Sequence, residues 1–136
     1  MKITYFGHSA FGFETAGGQH ILIDPYLIGN PACPVKPESL KADYIILTHA
    51  HGDHIGDAFK IADKEHTIFV CVTELAKFIS EKGFKTHGMQ IGGAFMFPFG
   101  RVKLTPALHG SMTPDGRYAG LAAGVVLSCD DTVVYH

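Results

Sequence analysis

No apolar run in this 136-residue chain reaches the roughly 18 residues that a membrane-spanning helix needs, so no transmembrane helix is expected. Clusters of five or more basic residues are also missing. Lys and Arg total 11 against 13 Asp and Glu, for a formal charge of −2, and the basic footprint of a nucleic-acid-binding surface is not visible. The scattered lysines read as solvated surface. Cysteine is sparse: Cys33, Cys71 and Cys129 are odd in number, far apart and form no C-x-x-C pair. They read as reduced thiols, which suits a cytoplasmic protein. Cys71 lies in the apolar run Ile68-Phe69-Val70-Cys71-Val72 and reads as a core filler. Cys33 sits in a proline-rich stretch, and without an electropositive setting it is not expected to be reactive. The first residues open directly on strand-like alternation, with no signal peptide or lipidation motif. Internal repeats and low-complexity segments are absent too.

What is present suits one globular domain. The length fits a single unit, and an apolar fraction of 46% is ample for a core. Residues 1–14 and 20–23 read as two strands joined through Ala16-Gly17-Gly18-Gln19. Residues 25–37, with Pro25, Pro31, Pro34, Pro37, Gly29 and Asn30, have loop chemistry, and a long loop in a compact domain is often functional. A buried strand is expected over 42–48. Ile55, Ala58, Phe59 and Ala62 then recur at helical spacing within 55–65. A strand at 67–72 leads to a helix capped by Thr73, facing Leu75, Phe78 and Ile79 inward and stopping at Gly83. Strands follow at 85–89, 94–99 and 101–108, and a final hairpin, 120–128 with 132–136, turns at Asp130-Asp131. Strands mixed with helices indicate an α/β class.

The densest chemistry is Thr48-His49-Ala50-His51-Gly52-Asp53-His54, directly behind Tyr44-Ile45-Ile46-Leu47. Residues two apart on an extended chain point the same way, so His49 and His51 can share one ion. A turn at Gly52 brings Asp53 and His54 to a second position nearby. Imidazole and carboxylate ligands in this mixture suit zinc and its divalent neighbours.

This H-x-H-x-D-H motif after a buried strand resembles the signature of the metallo-β-lactamase-fold superfamily. The segments MKITYFGHSAFG, ILIDPYLIGNP and VKLTPALH resemble an uncharacterised group of metal-dependent hydrolases related to the L-ascorbate-6-phosphate lactonases. The resemblance implies an αββα sandwich, two face-to-face sheets with helices outside and metals at one edge. The chain would supply its N-terminal half and a little more. In that family, residues after a strand like 132–136 carry a Gly-Asp pair whose aspartate bridges two metals, and a last histidine ligand comes later. Neither is present here, so a partial domain is expected, completed by a missing C-terminal half or a homo-oligomer partner.

By resemblance and chemistry, His49, His51 and His109 hold the first ion. Asp53 and His54 belong to the second, with Asp53 also able to orient the nucleophilic water or to cap the helix near Ile55. Asp24, before Pro25, reads as a carboxylate that steadies backbone or a ligating imidazole, or as turn chemistry. His8, in Gly7-His8-Ser9, either faces the metals to bind or protonate substrate or is an exposed strand histidine. Arg117, in a Pro114-Asp115-Gly116 turn, reads as a solvated loop residue that could reach an anionic group. His20, His66 and His87 read as surface residues, and His136 has no motif support.

The expected activity is metal-dependent hydrolysis of an ester, lactone, thioester or phosphoester in a small-molecule substrate. One or two divalent ions would serve, zinc first and manganese, nickel or iron as alternatives. His51 in place of a glutamate disfavours the superfamily's di-iron oxygen-reducing branch. The rival readings are a nucleic-acid phosphodiesterase, opposed by the absent basic stripe, and an inactive metal-binding fragment that needs a partner chain.

Overall fold

The computed structural model describes all 136 residues. β1 (Lys2–Gly7), β2 (Ala10–Glu14) and β3 (His20–Ile23) form a meander, β2 antiparallel to both of its neighbours. β4 (Tyr44–Ile46), β5 (Ile68–Val72) and β6 (Lys85–Met89) each lie parallel to the strand before them, completing a six-stranded sheet in the order β1-β2-β3-β4-β5-β6. The crossovers carry two short helices, α1 (Gly52–Ile55) and α2 (Ala58–Ile61), and then α3 (Thr73–Ser80). A second, antiparallel sheet has the order β10-β9-β8-β7, built from β7 (Ala94–Phe97), β8 (Gly100–Pro106), β9 (Ala123–Cys129) and β10 (Thr132–Tyr135).

Parallel strands covered on both faces read as unbroken apolar runs, and Tyr44-Ile45-Ile46 and Phe69-Val70-Cys71-Val72 are buried throughout. Ile45 and Phe69 are cross-strand partners, and Phe69 packs on Phe59 and Phe84 on the helix side. Tyr44, pointing the opposite way, meets Phe97 of β7 and Phe99 of the turn that follows it at 5.7 and 4.5 Å between ring centroids. Val102, Leu104, Val125 and Leu127 alternate into the same interface, and Leu75, Phe78 and Ile79 of α3 are buried as their spacing requires. Each large side chain so buried contributes about 1.5–3 kcal/mol. One continuous core of 33 buried residues joins both sheets and the helices, so the chain packs as one unit.

Several boundaries differ from the sequence reading. Residues 1–14 form two strands rather than one, because Gly7 (φ 97°) and His8 (φ 54°) both adopt left-handed backbone and reverse the chain. The helix expected over 55–65 is two single turns separated at Gly56. Thr73 is the first residue of α3 and donates its hydroxyl to the Met89 carbonyl instead of capping. Asp53 does not cap α1 either, whose N-cap is His51 with no side-chain bond.

Gly56 has φ 49° and ψ −123°, and a Cβ there would fall 2.5 Å from Tyr26 Cα and 2.6 Å from the Pro25 carbonyl oxygen. Only glycine lets the 25–37 loop lie this close to the metal-capable segment. Gly56→Ala is therefore expected to lower stability by about 3 kcal/mol, from backbone strain plus a displaced loop. Urea denaturation checks this, and a variant as stable as the parent would contradict the packing described.

The sheets are unequal, six strands against four. Ile3 and Tyr5 belong to the rows Ile3–Phe13–Ile21–Tyr44 and Tyr5–Phe11–Ile23–Ile46, which face the second sheet. Both are exposed, because the second sheet ends at β10 before reaching β1.

Candidate metal centre

β3 and β4 end side by side, with Ile23 opposite Ile46, so the residues that follow each strand meet at the carboxyl edge where open α/β sheets place ligands. Asp24 follows β3 at φ 45°, a left-handed conformation that aspartate tolerates. It is fully buried. Its Oδ1 accepts the Thr48 N–H at 2.9 Å, and its Oδ2 accepts the Thr48 hydroxyl at 2.5 Å and His54 Nδ1 at 2.7 Å. Burial alone raises the Asp24 carboxyl, but contacts from His136, His54 and Thr48 outweigh it and hold the group below the usual carboxylate range.

This carboxylate sets two imidazoles. His54 gives Nδ1–H to Asp24 and so keeps the Nε2 lone pair free. The Thr48 hydroxyl donates to Asp24 and lies 2.9 Å from His49 Nδ1, so His49 donates Nδ1–H to that oxygen and likewise frees Nε2. His49 Nε2 stands 3.2 Å from His51 Nδ1. Two ligands of a tetrahedral zinc, each 2.0–2.1 Å from the ion, are separated by about 3.3 Å. His109, beyond β8, closes the group, with its ring 4.8 Å from that of His49 and 5.1 Å from that of His51. One donor atom from each of the three lies within 4.8 Å of the others.

His8, Asp53 and His54 form a second such group, and Asp24, His49 and His54 a third that links the two. His8 Nε2 lies 3.1 Å from Asp53 Oδ2, both side chains half-exposed. The site opens into a cleft of about 360 Å³ bordered by Asp24, His49, His54, His109, Ala123 and His136. The donor set fits a divalent ion: the His49 and His51 nitrogens are spaced as ligands, and the network on Asp24 leaves Nε2 of His49 and of His54 free to bind.

Burial, reinforced by neighbouring His54, His51 and His109 and opposed by Asp24, pushes the His49 imidazolium down to about 4. His49 is thus neutral, the ligating form, at physiological pH. The unfolded chain binds this proton from about pH 6.5, so between 6.5 and 4 the unfolded state holds more protons and stability falls with acidification. The melting temperature of the metal-free protein is expected to drop between pH 7.5 and 5, and to drop less in His49→Gln. Equal slopes for both would contradict the assignment.

The structure thus gathers His49, His51, His109, Asp53, His54, His8 and Asp24 at one edge. Others lie elsewhere. Arg117 is engaged with Glu81 at 2.6 Å and stacks over Phe78, turned to α3. His20 and His66 are exposed, and Cys33 donates its thiol to the Val35 carbonyl. His87, read as surface, is half-buried against Phe95 and Phe97. Sequence reading missed three contributors. Thr48 carries the Asp24–His49 link. Asp57 accepts the Leu27 and Ile28 N–H groups at 3.1 and 2.8 Å and anchors the 25–37 loop. His136 reaches Asp24 from the second sheet. None has a spacing signal, although Thr48 stands inside the motif.

A two-sheet α/β sandwich with clustered histidines and aspartates at the carboxyl edge of its parallel strands defines a metal-dependent class of protein. Comparison with known proteins agrees. The family model described as a beta-lactamase superfamily domain matches residues 19–136. The chain belongs to this superfamily. It is 46% identical over 141 aligned residues to a UPF0173 metal-dependent hydrolase of Bacillus cereus strain B4264, covering 100% of this chain and 62% of that protein. Among solved structures, Igni18, a metallo hydrolase from Ignicoccus hospitalis, superposes with TM-score 0.83 at 37% identity, over 98% of this chain and 58% of its own. An isothiocyanate hydrolase from Delia radicum gut bacteria gives TM-score 0.72 at 26% identity, over 99% and 61% respectively. The chain therefore spans about 62% of the length of the curated relatives it matches.

Proposed function

We propose that this chain carries the metal-binding half of a hydrolase acting on an ester, lactone, thioester or phosphoester of a small molecule. The observation that carries this reading is the convergence of His49 Nε2, His51 Nδ1 and the His109 ring, with His49 and His109 bordering an open cleft. His49, His51 and His109 hold one ion, zinc in preference to manganese, nickel or iron. Asp53 and His54 stand ready for a second. A divalent ion held by these residues would supply water activation near neutral pH and polarisation of the scissile oxygen. Asp53 orients the attacking water, and His8, in contact with Asp53 at 3.1 Å, binds or protonates the substrate from the exposed side. Asp24 keeps His54 and, through Thr48, His49 in register. Turnover of chromogenic esters, lactones, thioesters and phosphoesters by zinc- and manganese-loaded protein tests the reading. Cleavage of one class, abolished by chelation and restored by metal, is expected; the same rate with and without metal would overturn it.

We also infer that the exposed Ile3 and Tyr5 and the free edge of β10 are covered in the working protein, by further chain of the kind its relatives possess or by a second copy. Unpaired strand edges beside apolar surface invite association, and no helix here is long and apolar enough to cross a membrane. Light scattering on the 136-residue chain is expected to show a species larger than one copy. A stable monomer would remove this inference.

A further inference from the structure

His136 lies at the end of β10, on the opposite sheet from the H-x-H-x-D-H segment. Its backbone exchanges two 2.8 Å hydrogen bonds with Val125, its ring packs edge-on against Phe11 at 5.5 Å, and its side chain is largely buried. The ring is thereby held from both sheets. Nε2 comes 3.5 Å from Asp24 Oδ2, the oxygen that already receives His54 Nδ1 and the Thr48 hydroxyl.

We propose that His136 is a positioning residue for the metal centre: a second imidazole on Asp24 through which the second sheet holds the ligand network of the first. A buried carboxylate is stable only when donors surround it, and three side chains gather on it here, Thr48 and His54 within hydrogen-bond distance and His136 as an ion-pair contact at 3.5 Å. Two lead onward to candidate ligands, His54 directly and His49 through Thr48 Oγ1. The third, His136, leads to β10. Removing it takes away the one contact that comes from outside the segment bearing the ligands: Asp24 keeps its bonds to Thr48 and His54 but loses its tie to the second sheet, against which both imidazoles are set. His136 itself is not placed as a ligand; it acts on Asp24.

This rests on the metal-site reading above, and the test separates the two. Zinc affinity is measured by competition with a chromogenic chelator for the parent protein, His136→Ala and His136→Gln, alongside thermal melts without metal. Glutamine can present an amide N–H near the position of Nε2. Loss of such an outer partner typically weakens metal binding by about 10–100-fold. His136→Ala is expected to bind zinc at least about tenfold more weakly, with His136→Gln recovering most of the difference. Parent protein that binds no zinc would sink the metal-site reading itself. If the parent binds and His136→Ala binds equally well, only the His136 proposal falls. If both variants melt lower by the same amount and bind zinc equally weakly, His136 serves packing alone and the proposal is likewise overturned.

Discussion

Replacing His49 and His51 together by alanine is expected to reduce bound divalent metal to background. Both donor nitrogens of the closest pair, 3.2 Å apart, are removed, leaving His109 as the only member of its group. Structural zinc in zinc-finger peptides reaches about 10–16 kcal/mol of binding free energy, shared among four ligands, so the loss of two of three ligands here is worth on the order of a thousandfold or more in affinity. The fold should persist without metal, because the 33-residue core does not include either histidine. Elemental analysis of purified parent and double variant, with circular dichroism to show that both are folded, makes the comparison. Undiminished metal in the double variant would refute the site assignment, and metal-dependent hydrolysis should vanish with the ion.

Asp24→Asn is the second large effect. Asparagine matches aspartate in volume and tolerates the same left-handed backbone, so shape is preserved while charge and half the accepting capacity are lost. The Thr48 N–H, the Thr48 hydroxyl, His54 and His136 all approach this group as donors. The new amide must turn its own N–H groups towards some of them. Breaking a buried charged network in this way costs about 3 kcal/mol or more, and metal affinity should fall about 10–100-fold as His54 and His49 lose their orientation. The pH dependence has a definite sign. Asp24 is held below its ordinary value, so its contribution is present above the unfolded carboxyl pKa of about 3.9 and is lost as pH falls through the lower folded value. The stability gap between parent and variant should be full at pH 7 and narrow below about pH 4. Denaturation curves at the two pH values decide, and a gap of less than about 0.5 kcal/mol at neutral pH would show that Asp24 is not the hub described.

The two regions that the sequence reading placed least well share one cause. At residues 7–8 and at 56 the backbone takes positive φ values, and these reversals depend on what the chain must pack against. Gly56 breaks the helical pattern because the 25–37 loop occupies the space its side chain would need. His8 sits in a turn because β1 pairs with β2 rather than continuing. Periodicity reports which face is apolar. It does not report a neighbour's backbone arriving from thirty residues away.

Local order of residue types decided the rest. The unbroken apolar runs at 44–47 and 68–72 specify strands buried on both faces, and the alternation at 101–104 specifies a strand with one face inward. The i, i+2 spacing of His49 and His51 puts two imidazoles on one side of an extended segment, which is a property of the backbone and holds in any fold. Tertiary structure alone decided the remainder of the site. It brought His109 up from sixty residues downstream, set His8 of the β1–β2 turn beside Asp53 of α1, and joined His136 to Asp24 from the other sheet. A single buried carboxylate became the common reference for imidazoles from both sheets, because a charge taken out of water must collect its donors from wherever the chain packs them.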